Sequence, residues 1–276
     1  MLKFFKKIYY IGGTVYRGSI GIWHNTFDRL PVLNPEIENF VIGKSVKGKD
    51  IKCYKVSNNS NKSNSSNKLL IVGAIHGNEI GTVKLAHHIL NWFYKYRDTI
   101  ELYVISCLNV DGYELAVKNP DYLHRGKIGR FNARNVDLNR NFSTSNFKSK
   151  SEWRTGKNYA DSIRQVFCGE FGNSEPEIQA LTKLIKEKNI NNLIMLHNVG
   201  KDVIINKQDE IAQGWAQVYK KIGFGIRHDL DYSGSAAIWA QENNIHYMTI
   251  EGGSRWGSDW GRQKNAIVGV VKSIIN

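Results

Sequence analysis

The chain has 276 residues, 41% hydrophobic and 23% charged, enough for one α/β domain with a sizeable core. Its 38 Lys+Arg against 25 Asp+Glu give a formal charge of +13, but the lysines are scattered as on a solvated surface. With no basic stripe, RNA-binding signature or zinc-finger spacing, a nucleic-acid partner is not expected.

Cys53, Cys107 and Cys168 are odd in number and far apart, which argues against a disulfide framework or a thiolate metal site and fits a reducing compartment. Residues 1 to 35 read as an aromatic-rich leader of unassigned role. Lys3, Lys6 and Lys7 precede an apolar run that glycines and Arg17 interrupt, so neither a signal peptide nor a membrane span is expected, and cytoplasmic residence follows.

From Phe40 to Val56 two alternating stretches around Gly43 and Lys47-Gly48 predict a β-hairpin. Ser57 to Asn67 is almost wholly Ser and Asn, a composition that forms no core and predicts a loop. Leu69 to Ile75 is a continuous apolar run expected to be a strand covered on both faces. Glu79 to Phe93 follows as a helix, with Val83, Ala86, Leu90 and Phe93 on one face. Glu101 to Leu108, Asn192 to Leu196 and His246 to Ile250 are further buried-strand candidates. Ser174-Glu175-Pro176-Glu177 predicts a helix start, with Ser174 as N-cap and Glu177 reaching back in a capping box. The expected fold is a single α/β domain over residues 36 to 276, a central mixed and largely parallel sheet flanked by helices.

Several residues at predicted strand ends can carry chemistry. His76 and Glu79 lie in a glycine-containing turn after the Leu69 strand, and an imidazole with a carboxylate three residues on suits zinc. His197 closes the Asn192 run, and Glu251, followed by Gly252 and Gly253, closes the His246 run. Ligands of open α/β sheets gather beyond the C-terminal strand ends, so these side chains are candidates for one crevice. Between them, Arg130 to Phe142 carries arginines and amides able to hold a carboxylate or an oxyanion.

In Ile42 to Lys49, His76-Gly77-Asn78-Glu79, Asn109-Val110-Asp111-Gly112, Val136 to Phe142, Ser174 to Glu177, His197 and Thr249-Ile250-Glu251, the chain resembles the zinc carboxypeptidases. Within that family it is similar to the short bacterial murein peptide amidases, which cleave the γ-D-glutamyl to diaminopimelate bond. The resemblance implies one zinc per chain held by His76, Glu79 and His197, with Asp137 orienting the first histidine. It implies Asn139 and Arg140 as the clamp for the carboxylate of a peptide substrate, Arg130 as oxyanion stabiliser and Glu251 as general base and acid. The family's mobile tyrosine has Leu230 in its place, which leaves Tyr232 as the nearest candidate. Ala237 lies near the base of the implied specificity pocket, and the absence of an acidic residue there disfavours basic substrates. The alternatives are an N-acyl amino acid hydrolase of the desuccinylase and aspartoacylase type, and an inert binder of acidic peptides.

Overall fold

The computed structural model describes residues 29–57, 68–97, 101–119, 128–154, 163–228 and 232–275. Most of the predicted leader, the Ser/Asn segment beyond Ser57, and Leu230 lie outside the described residues.

The hairpin forms as β1 (Glu38–Lys44) and β2 (Asp50–Val56), antiparallel, with a bulge between Val41 and Gly43. The apolar runs become β3 (Leu69–Val72), β4 (Leu102–Ile105), β7 (Asn192–Asn198) and β10 (His246–Gly252). Between β4 and β7 a separate two-stranded ribbon, β5 (Lys150–Arg154) and β6 (Ile163–Phe167), stands off the main sheet. The main sheet is completed by β8 (Asp202–Ile205) and β9 (Gly225–His228), in the order β1-β2-β4-β3-β7-β10-β8-β9. Its centre, β4-β3-β7-β10, is parallel, while β2 joins β4 and β8 joins β10 in antiparallel pairings.

Helices cover both faces of this sheet. They are α1 (Ile80–Tyr94), α2 (Val110–Lys118), α3 (Pro176–Lys188), α4 (Glu210–Lys220), α5 (Ala236–Glu242) and α6 (Trp260–Ile275). Strand side chains alternate between the faces. Leu69, Ile71, Ile194, Leu196, Met248 and Ile250 meet α1, α4 and α6, whereas Leu70, Val72, Leu193, Met195 and Tyr247 meet α3, α5 and the segment around Phe142. The apolar runs are continuous because each strand is covered twice. Ile71 and Leu193 are fully buried, and truncating either to alanine costs about 2–5 kcal/mol.

The predicted capping box at Ser174 does not form. The N-cap of α3 is Glu175, with no side-chain cap, and the Ser174 hydroxyl donates to Glu175 Oε1 at 2.9 Å while accepting from Asn141 Nδ2. Glu177 accepts instead from the Val46 N–H at 3.2 Å and from Asn132 Nδ2 at 3.3 Å. These donors are brought in by the tertiary fold and are themselves in need of partners, so they displace the local pairing. The β1–β2 turn is held at both corners, since the Lys47 N–H donates to Asp111 Oδ2 at 3.1 Å.

Candidate metal centre

β3, β7 and β10 are adjacent and parallel, so their C-terminal ends open on one edge of the sheet. His76 leaves the end of β3 through a turn that also carries Glu79. A Cβ on Gly77 would lie 2.2 Å from the Tyr113 nitrogen and 2.3 Å from the Gly112 carbonyl carbon, so only glycine lets α2 pack against this turn. The turn is locked to the start of α1 by Thr82, whose hydroxyl donates to the Glu79 carbonyl at 2.6 Å and accepts from the Ala74 N–H at 2.9 Å.

Glu79 sits between two imidazoles. Its Oε1 is 3.0 Å from His76 Nδ1, its Oε2 is 3.0 Å from His197 Nδ1, and Oε2 also accepts the Asn198 N–H at 3.2 Å. The ligand atoms of His76, Glu79 and His197 lie within 4.8 Å of one another, and all three residues are buried. Burial works against ionisation of Glu79, yet the charges of the two histidines outweigh it and hold the carboxyl well below its usual range. For His197 burial favours the neutral ring, and Glu79 reverses that and raises it. Two imidazole nitrogens and one carboxylate facing inward fit a borderline divalent cation such as zinc, and they leave a coordination position open.

The outward nitrogens have partners as well. His76 Nε2 lies 3.1 Å from Asp137 Oδ1, and His197 Nε2 lies 3.4 Å from Asn139 Nδ2. Asp137 is completely buried and also accepts from Arg130 Nη2 at 2.9 Å and from the Asn139 N–H at 3.1 Å. Burial disfavours its charge, but Arg130 and His76 overcome that and keep it ionised far below the ordinary carboxylate range. Such a carboxylate fixes the imidazole orientation.

Arg130 reaches the site from a loop tied to α2, because Asn109 caps that helix through Gly112 and donates to the Arg130 carbonyl at 3.1 Å. Its Nη1 is 4.0 Å from Glu79 Oε1. Asn139 and Arg140 form a 3₁₀ turn over Leu138–Arg140, with Asn139 Oδ1 accepting the Ala236 N–H at 3.1 Å. The buried Arg140 guanidinium donates to the Asn139 carbonyl at 2.6 Å and stacks 4.3 Å from the Tyr232 ring centroid, while its Nε has no partner. Tyr232 is thereby placed against the Arg140 guanidinium. Ala237, on the first turn of α5, packs on the core face shared with Phe142.

Glu251 pairs with His197 in the parallel register of β10 and β7 and with Asp202 of β8. Burial is the main cause that lifts its carboxyl above the usual range; His197 opposes this and Glu79 adds to it.

Three contributors went unread in the sequence. Asn141 is a hub that donates to the Cys168 carbonyl at 2.6 Å and accepts the Glu175 N–H at 3.0 Å. Asn132 joins Glu175 Oε2 at 2.7 Å. Arg255 lies on the loop after β10. The density of amides between Arg130 and Phe142 was a signal for the first two; an arginine after Gly-Gly-Ser carries none.

A family model described as zinc carboxypeptidase matches residues 24–252. Murein peptide amidase A of Escherichia coli (strain K12) is 27% identical over 157 residues, 54% of this chain and 57% of that protein. Carboxypeptidase B2 of Rattus norvegicus is 25% identical over 183 residues, 61% of this chain and 41% of the other. The chain thus spans about half the length of the curated relatives it matches. Among solved structures, murein-tripeptide amidase MpaA from Escherichia coli O157 superposes with a TM-score of 0.65 at 21% identity, covering 89% of this chain and 94% of that one. Carboxypeptidase A from Helicoverpa armigera gives 0.62 at 19% identity, covering 87% and 68%.

Proposed function

Because the chain belongs to the zinc carboxypeptidase family, we propose that it is a zinc-dependent hydrolase of an amide bond adjacent to a free carboxylate, acting as a murein peptide amidase on γ-D-glutamyl-diaminopimelate peptides. The observation that carries the reading is the convergence of His76, Glu79 and His197 within 4.8 Å at the strand ends that also present Glu251, with Arg130 and Arg140 nearby. The similarity to murein peptide amidase A, the protein so named in Escherichia coli, supports the substrate class.

His76, Glu79 and His197 hold one zinc per chain in this reading. When bound, zinc supplies Lewis-acid activation of a water and of the scissile carbonyl. Asn139 and Arg140 grip the substrate carboxylate, and Tyr232, stacked on Arg140, closes one side of that clamp. Glu251 takes a proton from the attacking water and returns it to the leaving amine, a role suited to a carboxylate whose proton affinity is raised by burial. Arg130 offers its guanidinium to the oxyanion, braced by Asp137.

Cytoplasmic residence belongs to the same proposal. All three cysteines are free, and no helix among the described residues is long and apolar enough to cross a membrane. The test is incubation of zinc-loaded protein with the murein tripeptide L-Ala-γ-D-Glu-diaminopimelate, with product masses read out. Release of free diaminopimelate is the expected result; an intact tripeptide sinks the reading.

A further inference from the structure

The loop after β10 is fastened to the metal-ligand turn. The Gly81 N–H donates to the Arg255 carbonyl at 2.7 Å, and a Cβ on Gly81 would lie 2.3 Å from the Gly257 carbonyl oxygen and 2.9 Å from that of Ser254. Gly81 is two residues beyond Glu79, the N-cap of α1, so the N-terminal end of this helix carries both a proposed metal ligand and the anchor of this loop. The loop in turn brings Arg255 into the charge environment of Glu79, Arg130 and Glu251.

Arg255 differs in one respect from the other two arginines at the site. The Arg130 guanidinium is engaged by Asp137, and that of Arg140 by the Asn139 carbonyl and the Tyr232 ring. Arg255 Nη1, like Arg140 Nε, is buried with no hydrogen-bond partner, but among the described residues neither an ion pair nor a side-chain hydrogen bond engages the Arg255 guanidinium. A buried charged donor left unpaired is costly unless a ligand completes it. Burial tends to weaken the Arg255 charge, and Glu79 and Glu251 help to retain it.

Arg255 and Arg140 are also built on different walls. Arg140 belongs to the side formed by Tyr232 and the start of α5, whereas Arg255 belongs to the side formed by the start of α1. If Arg140 receives the carboxylate beside the leaving amine, an anion at Arg255 falls on the acyl side of the scissile bond. A γ-linked glutamyl group carries an anion on that side, its free α-carboxylate, which an ordinary α-linked peptide lacks.

We propose that Arg255 is a specificity-determining residue that receives a second substrate carboxylate, the free α-carboxylate of a γ-glutamyl acyl group. The proposal rests on the reading of the site as a γ-glutamyl amidase and assigns the group that selects this linkage. A planar guanidinium with an open donor suits a carboxylate in a way an ammonium does not.

The test measures binding of two acyl-side ligands to the zinc-loaded protein by calorimetry. One is the dipeptide L-Ala-D-Glu; the other is L-alanyl-4-aminobutyrate, identical except for the missing α-carboxylate. A charge-assisted hydrogen bond predicts about ten- to a hundredfold tighter binding of the dipeptide. In Arg255→Gln the ratio falls to near one, and in Arg255→Lys it is intermediate. Equal binding of the two ligands to the parent overturns the proposal. So does an Arg255→Gln variant that weakens both while keeping their ratio, the mark of a structural role. Tripeptide hydrolysis run in parallel separates the two layers: a preserved preference without hydrolysis refutes the reaction and leaves the Arg255 subsite standing, while hydrolysis without preference does the reverse.

Discussion

Glu251 and His197 face each other in the parallel register of β10 and β7. Residues paired in this way project to the same face of a sheet, and here it is the face shared with Phe142 and α5. A candidate metal ligand and a candidate proton carrier therefore sit on neighbouring strands, placed by the sheet rather than by a loop.

That arrangement separates holding the metal from moving the proton. Glu251→Gln should retain about one zinc per chain and a melting temperature near that of the parent, while turnover falls by about a hundredfold to ten-thousandfold. Loss of zinc on this substitution would make Glu251 a ligand; near-normal turnover would require a different base.

His76→Ala and His197→Ala should each abolish stoichiometric zinc, measured by mass spectrometry on untagged protein. Because the ligands must be unprotonated, zinc bound to the parent should be released as pH falls through the histidine range. Added zinc should raise the melting temperature of metal-depleted parent and leave either variant unmoved. Full occupancy in a variant removes that histidine from the site.

Asp137 accepts from both His76 and Arg130, so its removal unsettles two groups together. Asp137→Asn should weaken zinc affinity by about ten- to a hundredfold, as is typical for a partner that orients a metal-binding imidazole. Competition against a chelator of known affinity reads the effect. An unchanged affinity shows that His76 is oriented by other means.

Arg140→Lys keeps the charge but loses the planar fork and the stacking on Tyr232. KM for substrates with a free carboxylate should rise at least tenfold, with a smaller change in kcat. If the parent cleaves amidated and free-acid substrates equally well, Arg140 is not the clamp.

Burial raises the Glu177 carboxyl, against its hydrogen bonds from the main chain and Asn132. A carboxyl whose folded pKa exceeds its unfolded one favours folding most below the unfolded value, and that contribution is lost as pH rises through the folded value. Relative to the parent, Glu177→Gln should gain melting temperature progressively from pH 4.5 upward. A difference that is flat with pH would show that Glu177 does not titrate differently on folding.

Much of this was legible locally. Continuous apolar runs announced β3, β4, β7 and β10, because a strand covered on both faces has no polar positions to spare. His76, His197 and Glu251 could be picked out because each follows such a run, and a strand end is where a side chain leaves the sheet for a crevice. The resemblance to zinc carboxypeptidases rested on the same residues.

Contacts between distant segments were decided only in three dimensions. Nothing near Glu177 in the chain foretells that it serves Val46 and Asn132, because a buried amide claims whichever acceptor the fold delivers. Nothing near Arg255 foretells that its carbonyl is anchored by the N–H of Gly81, two residues from Glu79, since that place depends on Gly81 admitting the loop at close range. Local patterns determine which residues enter strands and helices, because periodicity acts over a few positions. The partners of buried charges come from elements far apart in sequence, and tertiary packing alone selects them.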